Sequence, residues 1–358
     1  MTSAREVGLL RLAAQRVAGP GWDTPAEAVG WATATQAQDF RGALESVALR
    51  TAGGTAADVV AALDAGEVVR SWPMRGTLHL VRAEDLSWVL SLTTERLITG
   101  AASRRAELGL DDALIERARD LAVGALSGGR RLSREGLRTV WEAAGVAADG
   151  QRTYHLIWYL AQTGTLCWGP VDDGEQHLVL LDEWVPAPRV LEREEALGEL
   201  ALRYFRGHGP ATVKDFIWWT KLRAAEARAG VALARPRLET LSVNGTEMLM
   251  DPGTPERLAT HRAEALGTHL LPGFDEFLLG YQDRSAVLAP EFAARVVPGG
   301  NGVFQRTVVD AGAVVGTWRR SGKGARAEVA ATPFTAFSPR ALRAIERRSA
   351  ALTREHAG

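Results

Sequence analysis

The feature that most restricts how this chain can fold is an order of elements that recurs three times, a group of helices followed by a hairpin. In the first unit Leu10, Ala13 and Val17 fall at helical spacing after Glu6. Thr24-Pro25-Ala26-Glu27 reads as a capping box with proline at the first helical position. Thr55 then caps a third helix with Val59, Val60 and Leu63 inward. After Gly66 the period drops to two, through 68–72, a Pro73-Met74-Arg75-Gly76 turn and 77–81. The second unit has helices at 111–126, after Ser133, and at 151–162, then strands at 166–168 and 177–181 around Asp172-Asp173-Gly174. The third has helices at 192–206, after Thr212, and at 223–233, then strands at 238–243 and 247–250 flanking Asn244-Gly245, a strong hairpin signal. Three helices and a wing is the outline of a winged helix. The expected fold is therefore α+β, mainly α: winged-helix modules at 1–95, 96–188 and 189–252. A small β-rich C-terminal domain is expected at 253–358, with strands at 303–309, 314–320 and 325–331 and a closing helix at 339–355.

Composition narrows the function by exclusion. At 358 residues the chain exceeds one ordinary hydrophobic core. Eleven Trp read first as packing, because an indole mostly fills cores. Cys167 is the one cysteine, so neither an internal disulfide nor a thiolate zinc site is available, and a reducing compartment fits. Arg11, Gln15 and Arg16 interrupt the first apolar stretch, and no apolar run approaches the roughly 20 residues of a membrane helix. A cytoplasmic protein is expected, with no membrane association. The seven histidines have no ligand spacing, and phosphate-loop, dinucleotide, zinc-protease and nucleophile-elbow motifs are missing, so no metal or cofactor is expected. The net charge of −1 argues against a protein that coats nucleic acid, and the cations are arginine except Lys214, Lys221 and Lys323.

The third helix of the first unit, 55–64, carries two acids and no base, so it cannot read a major groove as an ordinary recognition helix does. Attention shifts to other edges. Gln36 and Gln38, on a helix end or loop, are not core residues, since burying an amide without partners costs roughly 1–3 kcal/mol. They are either caps or in use, with Asp39 and Arg41 beside them. Arg70, Trp72, Arg75 and His79 place donors on one wing, the alternative being a solvated hairpin with His79 satisfied inside. Arg319, Arg320, Lys323 and Arg326 make a basic, glycine-tipped hairpin of the kind that enters a groove. Asp275, Glu276, Asp283 and Arg284 form either a carboxylate site or an internal salt-bridge network.

Taken together, Gln36-Ala37-Gln38, Arg70-x-Trp72-x-x-Arg75-Gly76-Thr77-Leu78-His79, Leu271-Pro272-Gly273-Phe274-Asp275-Glu276, Gly280-Tyr281-x-Asp283-Arg284 and Gly316-x-Trp318 resemble the winged-helix DNA glycosylases similar to AlkZ and YcaQ. That resemblance implies tandem winged helices around a concave DNA channel. It also implies a Gln-x-Gln catalytic motif at Gln36 and Gln38, in the branch whose members remove bulky or crosslinking alkyl adducts. Double-stranded DNA bearing alkylated purines is then the partner, and the protein acts as a monomer without an obligate protein partner.

The chemistry agrees. A glutamine amide is neither acid nor base at neutral pH; it offers an acceptor and two donors. It can orient a water and stabilise positive charge developing on deoxyribose, which suffices when the base is already cationic. A purine alkylated at N7 or N3 leaves as a neutral base without protonation. No lysine lies near the motif in sequence, so monofunctional hydrolysis is expected rather than a Schiff-base step. The alternatives are a non-catalytic winged-helix DNA-binding regulator and a protein-interaction scaffold.

Overall fold

The computed structural model describes residues 4–321 and 328–354. Eleven strands occur among them: β1 Thr35–Gln36, β2 Val68–Met74, β3 Thr77–Arg82, β4 Leu166–Asp172, β5 Glu175–Leu180, β6 Glu239–Val243, β7 Thr246–Met250, β8 Thr268–Leu271, β9 Arg306–Asp310, β10 Ala313–Ser321 and β11 Glu328–Pro333. They form three antiparallel sheets, ordered β1-β3-β2-β4-β5, β6-β7 and β11-β10-β9-β8, set among helices.

Four hairpins turn through two residues in the left-handed region, the second always glycine: Arg75-Gly76, Asp173-Gly174, Asn244-Gly245 and Ala311-Gly312. This is the primed turn whose twist matches that of the strands it joins. Helix starts follow the sequence as well. Thr24, Thr55 and Thr212 each close a capping box, and Asp39, Asp111 and Ser133 each accept a backbone N–H three residues on.

Tertiary packing departs from a chain of separate units. The hairpins β2–β3 and β4–β5 join into one sheet through Arg70 opposite Trp168. The largest core draws Val69 and Met74, Cys167 and Val179, and Leu200, Tyr204, Phe216 and Trp219 into one cluster with Tyr281. The N-terminal helix Ala4–Ala14 buries residues on every side, as a helix enclosed by protein must. It packs with Leu258, Leu271, Phe277, Val309 and Phe334, more than 240 residues away in sequence. A Cβ on Gly8 would sit 2.2 Å from the Gly312 carbonyl oxygen, so glycine there is what allows the approach.

Trp72, Trp88, Trp141, Trp158, Trp219 and Trp318 are buried, in keeping with indole as packing. Among the described residues no helix is long and apolar enough to cross a membrane, and no group of three or more His, Cys, Asp or Glu is placed to hold a metal.

Candidate active site

Gln36 lies on β1, opposite His79 of β3, which corrects the expectation of a helix end or loop. Residues i and i+2 of extended chain share a face, and here the pair touches: Gln36 Nε2 donates to Gln38 Oε1 at 3.2 Å. The expectation that neither glutamine is a core residue is corrected for Gln36. Gln38 is exposed, but Gln36 is only 7% exposed. Its Oε1 is buried and has no hydrogen-bond partner among the described residues. An orphaned buried carbonyl costs about 1–3 kcal/mol, and a hydrogen bond from a water or a substrate would recover it.

Three neighbours fix the motif. Asp39 caps the helix Phe40–Leu49 by accepting from the Gly42 N–H at 3.1 Å, so the chain turns from strand to helix directly after Gln38. Arg70 donates to the Ala37 carbonyl from Nε at 3.0 Å and Nη2 at 2.7 Å, and to Gln176 Oε1 at 3.0 Å. Its guanidinium, lowered by burial to about 10, stays charged against the Phe40 ring and braces the motif from behind. Glu276 Oε1 accepts the Gln36 backbone N–H at 3.4 Å, while its Oε2 accepts from His208 Nε2 at 3.1 Å and Trp219 Nε1 at 2.9 Å. Burial raises the Glu276 carboxyl, but the hydrogen bond from His208 and the nearby Arg75 charge outweigh it, bringing it to about 2. Glu276 is thus a buried anion directly beneath the strand that carries Gln36.

The wing residues divide. His79 is fully buried and unavailable to DNA, in line with the core alternative. Its Nδ1–H donates to the Thr77 carbonyl at 2.8 Å, which leaves Nε2 to accept from Arg75 Nη2 at 2.9 Å. Burial, and then the Arg75 charge, bring His79 down to about 3 against the pull of Glu276 and Thr77. Trp72 is core. Arg75 reaches back over the Trp218 and Trp219 rings, 5.6 and 5.7 Å from their centroids.

The pH dependence of stability follows. The unfolded chain takes up a proton at His79 near pH 6.5, whereas the folded chain resists until about 3, so stability is lost as pH falls between those values. The slope is at most about 1.4 kcal/mol per pH unit. His79→Gln is expected to flatten the fall in urea midpoint between pH 6.5 and 5 relative to wild type. Parallel slopes in the two proteins would show that His79 is not held neutral.

The Asp275 carboxylate is engaged inside the protein. It takes a bidentate pair from Arg50 at 2.8 and 2.9 Å, the Ser46 hydroxyl at 2.7 Å and the Phe277 N–H, the internal-network alternative. Arg284 donates Nε–H to the Leu278 carbonyl at 2.8 Å and lies between the Trp218 and Phe304 rings. Arg41 is exposed and sits 3.5 Å from Glu45. Arg319 is exposed and Arg320 half-buried on β10; Lys323 and Arg326 lie outside the described residues.

Sequence reading offers Glu276 as part of a carboxylate group but does not single out His208, Trp218, Trp219 and Lys221 as site residues. The adjacent tryptophans two and three residues before one of only three lysines are the available signal. No lysine adjoins Gln36 in sequence, but the fold brings Lys221 onto the Trp218 ring that Arg75 also covers.

The chain thus presents the Gln38 amide at the surface, with the Gln36 Oε1, unpartnered among the described residues, behind it and the buried Glu276 carboxylate below. The family described as DNA glycosylase AlkZ-like matches residues 29–354, and the chain belongs to it. An interstrand DNA cross-link repair glycosylase of Streptomyces sahachiroi is 28% identical over 98% of this chain and 96% of that protein. The solved structure of Streptomyces sahachiroi DNA glycosylase AlkZ superposes with a TM-score of 0.80 at 27% identity, covering 99% of this chain and 96% of that one. The protein is a DNA glycosylase, and the regulator and scaffold alternatives are set aside.

Proposed function

We propose that the protein hydrolyses the N-glycosidic bond of purines made cationic by alkylation at N7 or N3, bulky and interstrand-crosslinked adducts included, in base excision repair or self-resistance. Three tandem winged-helix modules and the β-rich C-terminal domain, arranged around a concave channel, hold duplex DNA against Gln36 and Gln38. The observation that carries this reading is the orphaned Oε1 of Gln36 behind the exposed amide of Gln38. That oxygen accepts from the hydrolytic water and faces the charge that builds on the sugar, while Gln38 meets the nucleotide first. The buried Glu276 carboxylate adds favourable potential for a cationic sugar without touching it, because fixed charge in a poorly solvated interior acts more strongly than in water. Glutamine supplies no proton, so a neutral purine stays bound to its sugar. The name of the S. sahachiroi relative, an interstrand cross-link repair glycosylase, supports including crosslinks among the substrates. Arg41, Arg75, Arg284, Arg319 and Arg320, with Lys323 and Arg326, are the proposed DNA contacts.

Duplexes carrying a single N7-methylguanine or an N7–N7 crosslink test the reading. Expected is release of free base, with strand breaks appearing only after alkali and no adduct trapped by borohydride. Breaks before alkali together with a borohydride-trapped complex would replace the monofunctional mechanism with a lyase acting through an amine. Intact N7-methylguanine after prolonged incubation would end the proposal.

A further inference from the structure

Three cations converge on the half-buried Trp218 ring: Arg75 at 5.6 Å from its centroid, Lys221 at 5.2 Å and Arg284 at 5.2 Å. Among the described residues their heads have only His79, the Leu278 carbonyl and aromatic rings as partners, and no carboxylate lies within ion-pair distance. Arg75 Nη1 is buried with no hydrogen-bond partner among the described residues. The carboxylates nearest in charge are already engaged. Asp215 accepts the N–H groups of Thr212, Gln282 and Asp283, Asp283 accepts that of Ser285, and Glu276 is held by His208 and Trp219.

The backbone points the same way. Arg75 and Lys221 both adopt left-handed conformations, with φ of 57° and 59°. Arg75 occupies the first turn position of a hairpin, where Asn, Asp or Gly is favoured, and Lys221 a helix C-terminal position that ordinarily takes glycine. Two long cationic side chains therefore stand where the backbone prefers residues nearly without one. Mutual repulsion adds to this: the Arg75 charge lowers both Lys221 and Arg284, after burial. Positive charge assembled against backbone preference, and offset only from beyond ion-pair distance by Glu276, Asp215 and Asp283, is suited to an anion from outside.

The cluster adjoins the glutamines. Arg75 bonds His79, which pairs across the sheet with Gln36, and Trp219, next to Trp218, shares the Glu276 carboxylate with the Gln36 N–H. We propose that Arg75, Lys221 and Arg284 around Trp218 form a seat for a backbone phosphate of the DNA at the nucleotide being cleaved. Guanidinium groups meet its oxygens as paired donors, the lysine adds a mobile charge, and the indole supports all three. This rests on the glycosylase reading for the identity of the strand, whereas its test reads binding.

Binding to an unmodified duplex across salt concentrations measures the number of phosphates neutralised. Lys221→Gly relieves the left-handed strain, so its Tm is expected to rise by a few degrees. Its log–log salt slope is expected to be shallower by about 1, as for the loss of one phosphate contact. Arg284→Met should give the same change of slope, and the two together about 2. Arg237→Met, in the acidic groove with Glu192, Glu194 and Glu195, serves as the charge-matched control with an unaltered slope. If inorganic phosphate added at constant ionic strength competes with duplex for wild type and not for Lys221→Gly, the seat takes phosphate. Competition equal in both overturns it. Wild-type slopes in folded Lys221→Gly and Arg284→Met likewise remove the seat and leave the glycosylase reading standing. Altered slopes with no base release by wild type would do the reverse.

Discussion

Gln36→Ala is expected to release N7-methylguanine from duplex DNA at least about 100-fold more slowly than wild type, the scale on which losing one preorganised polar group at a developing charge acts. The loss should fall on the single-turnover rate constant at saturating protein, with duplex affinity within about threefold, because Gln36 is 7% exposed and cannot contribute much to the DNA surface. Gln38→Ala frees Gln36 Nε2 from its partner and is expected to lose activity on the same scale. The double variant should be little worse than either single one, since residues that act as a unit do not add. Activity within about threefold of wild type in the double alanine variant would remove the glutamines from the mechanism.

Asp275→Ala is expected to lower folding stability by about 3–5 kcal/mol, read as a shift in urea midpoint. The change leaves the Arg50 guanidinium, 6% exposed, without its bidentate partner and frees the Ser46 hydroxyl and the Phe277 N–H. An uncompensated buried charge is far more costly than the intact pair is favourable, so Arg50→Met combined with Asp275→Leu should regain more than half of the loss. This pair ties the helix Phe40–Leu49, which follows Gln38, to the segment that carries Glu276. A loss below about 1 kcal/mol for Asp275→Ala would show that the interior there admits water.

The two experiments separate what acts on substrate from what holds the site together, and sequence did not make that division. Asp275 and Glu276 are adjacent and read alike as residues, yet one closes an ion pair with Arg50 and the other lies under Gln36. His79 belongs to the same stretch as Arg70 and Arg75, and only the fold shows that it is sealed inside as a neutral acceptor.

Local order was legible because its causes are local. Threonine and aspartate caps, primed turns ending in glycine, and the change of period from helix to strand act within a few residues, and they placed most helices and hairpins to within a few positions. The family was legible because the stretches that carry the resemblance are each short and continuous in the chain. Tertiary structure decided the rest: the merging of two hairpins into one sheet, the docking of the first helix on the last third of the chain, the burial of Gln36, and the gathering of Arg75, Lys221 and Arg284 on Trp218. Each of these joins residues tens to hundreds of positions apart. Burial and electrostatics depend on distance in space, which a one-dimensional pattern does not contain.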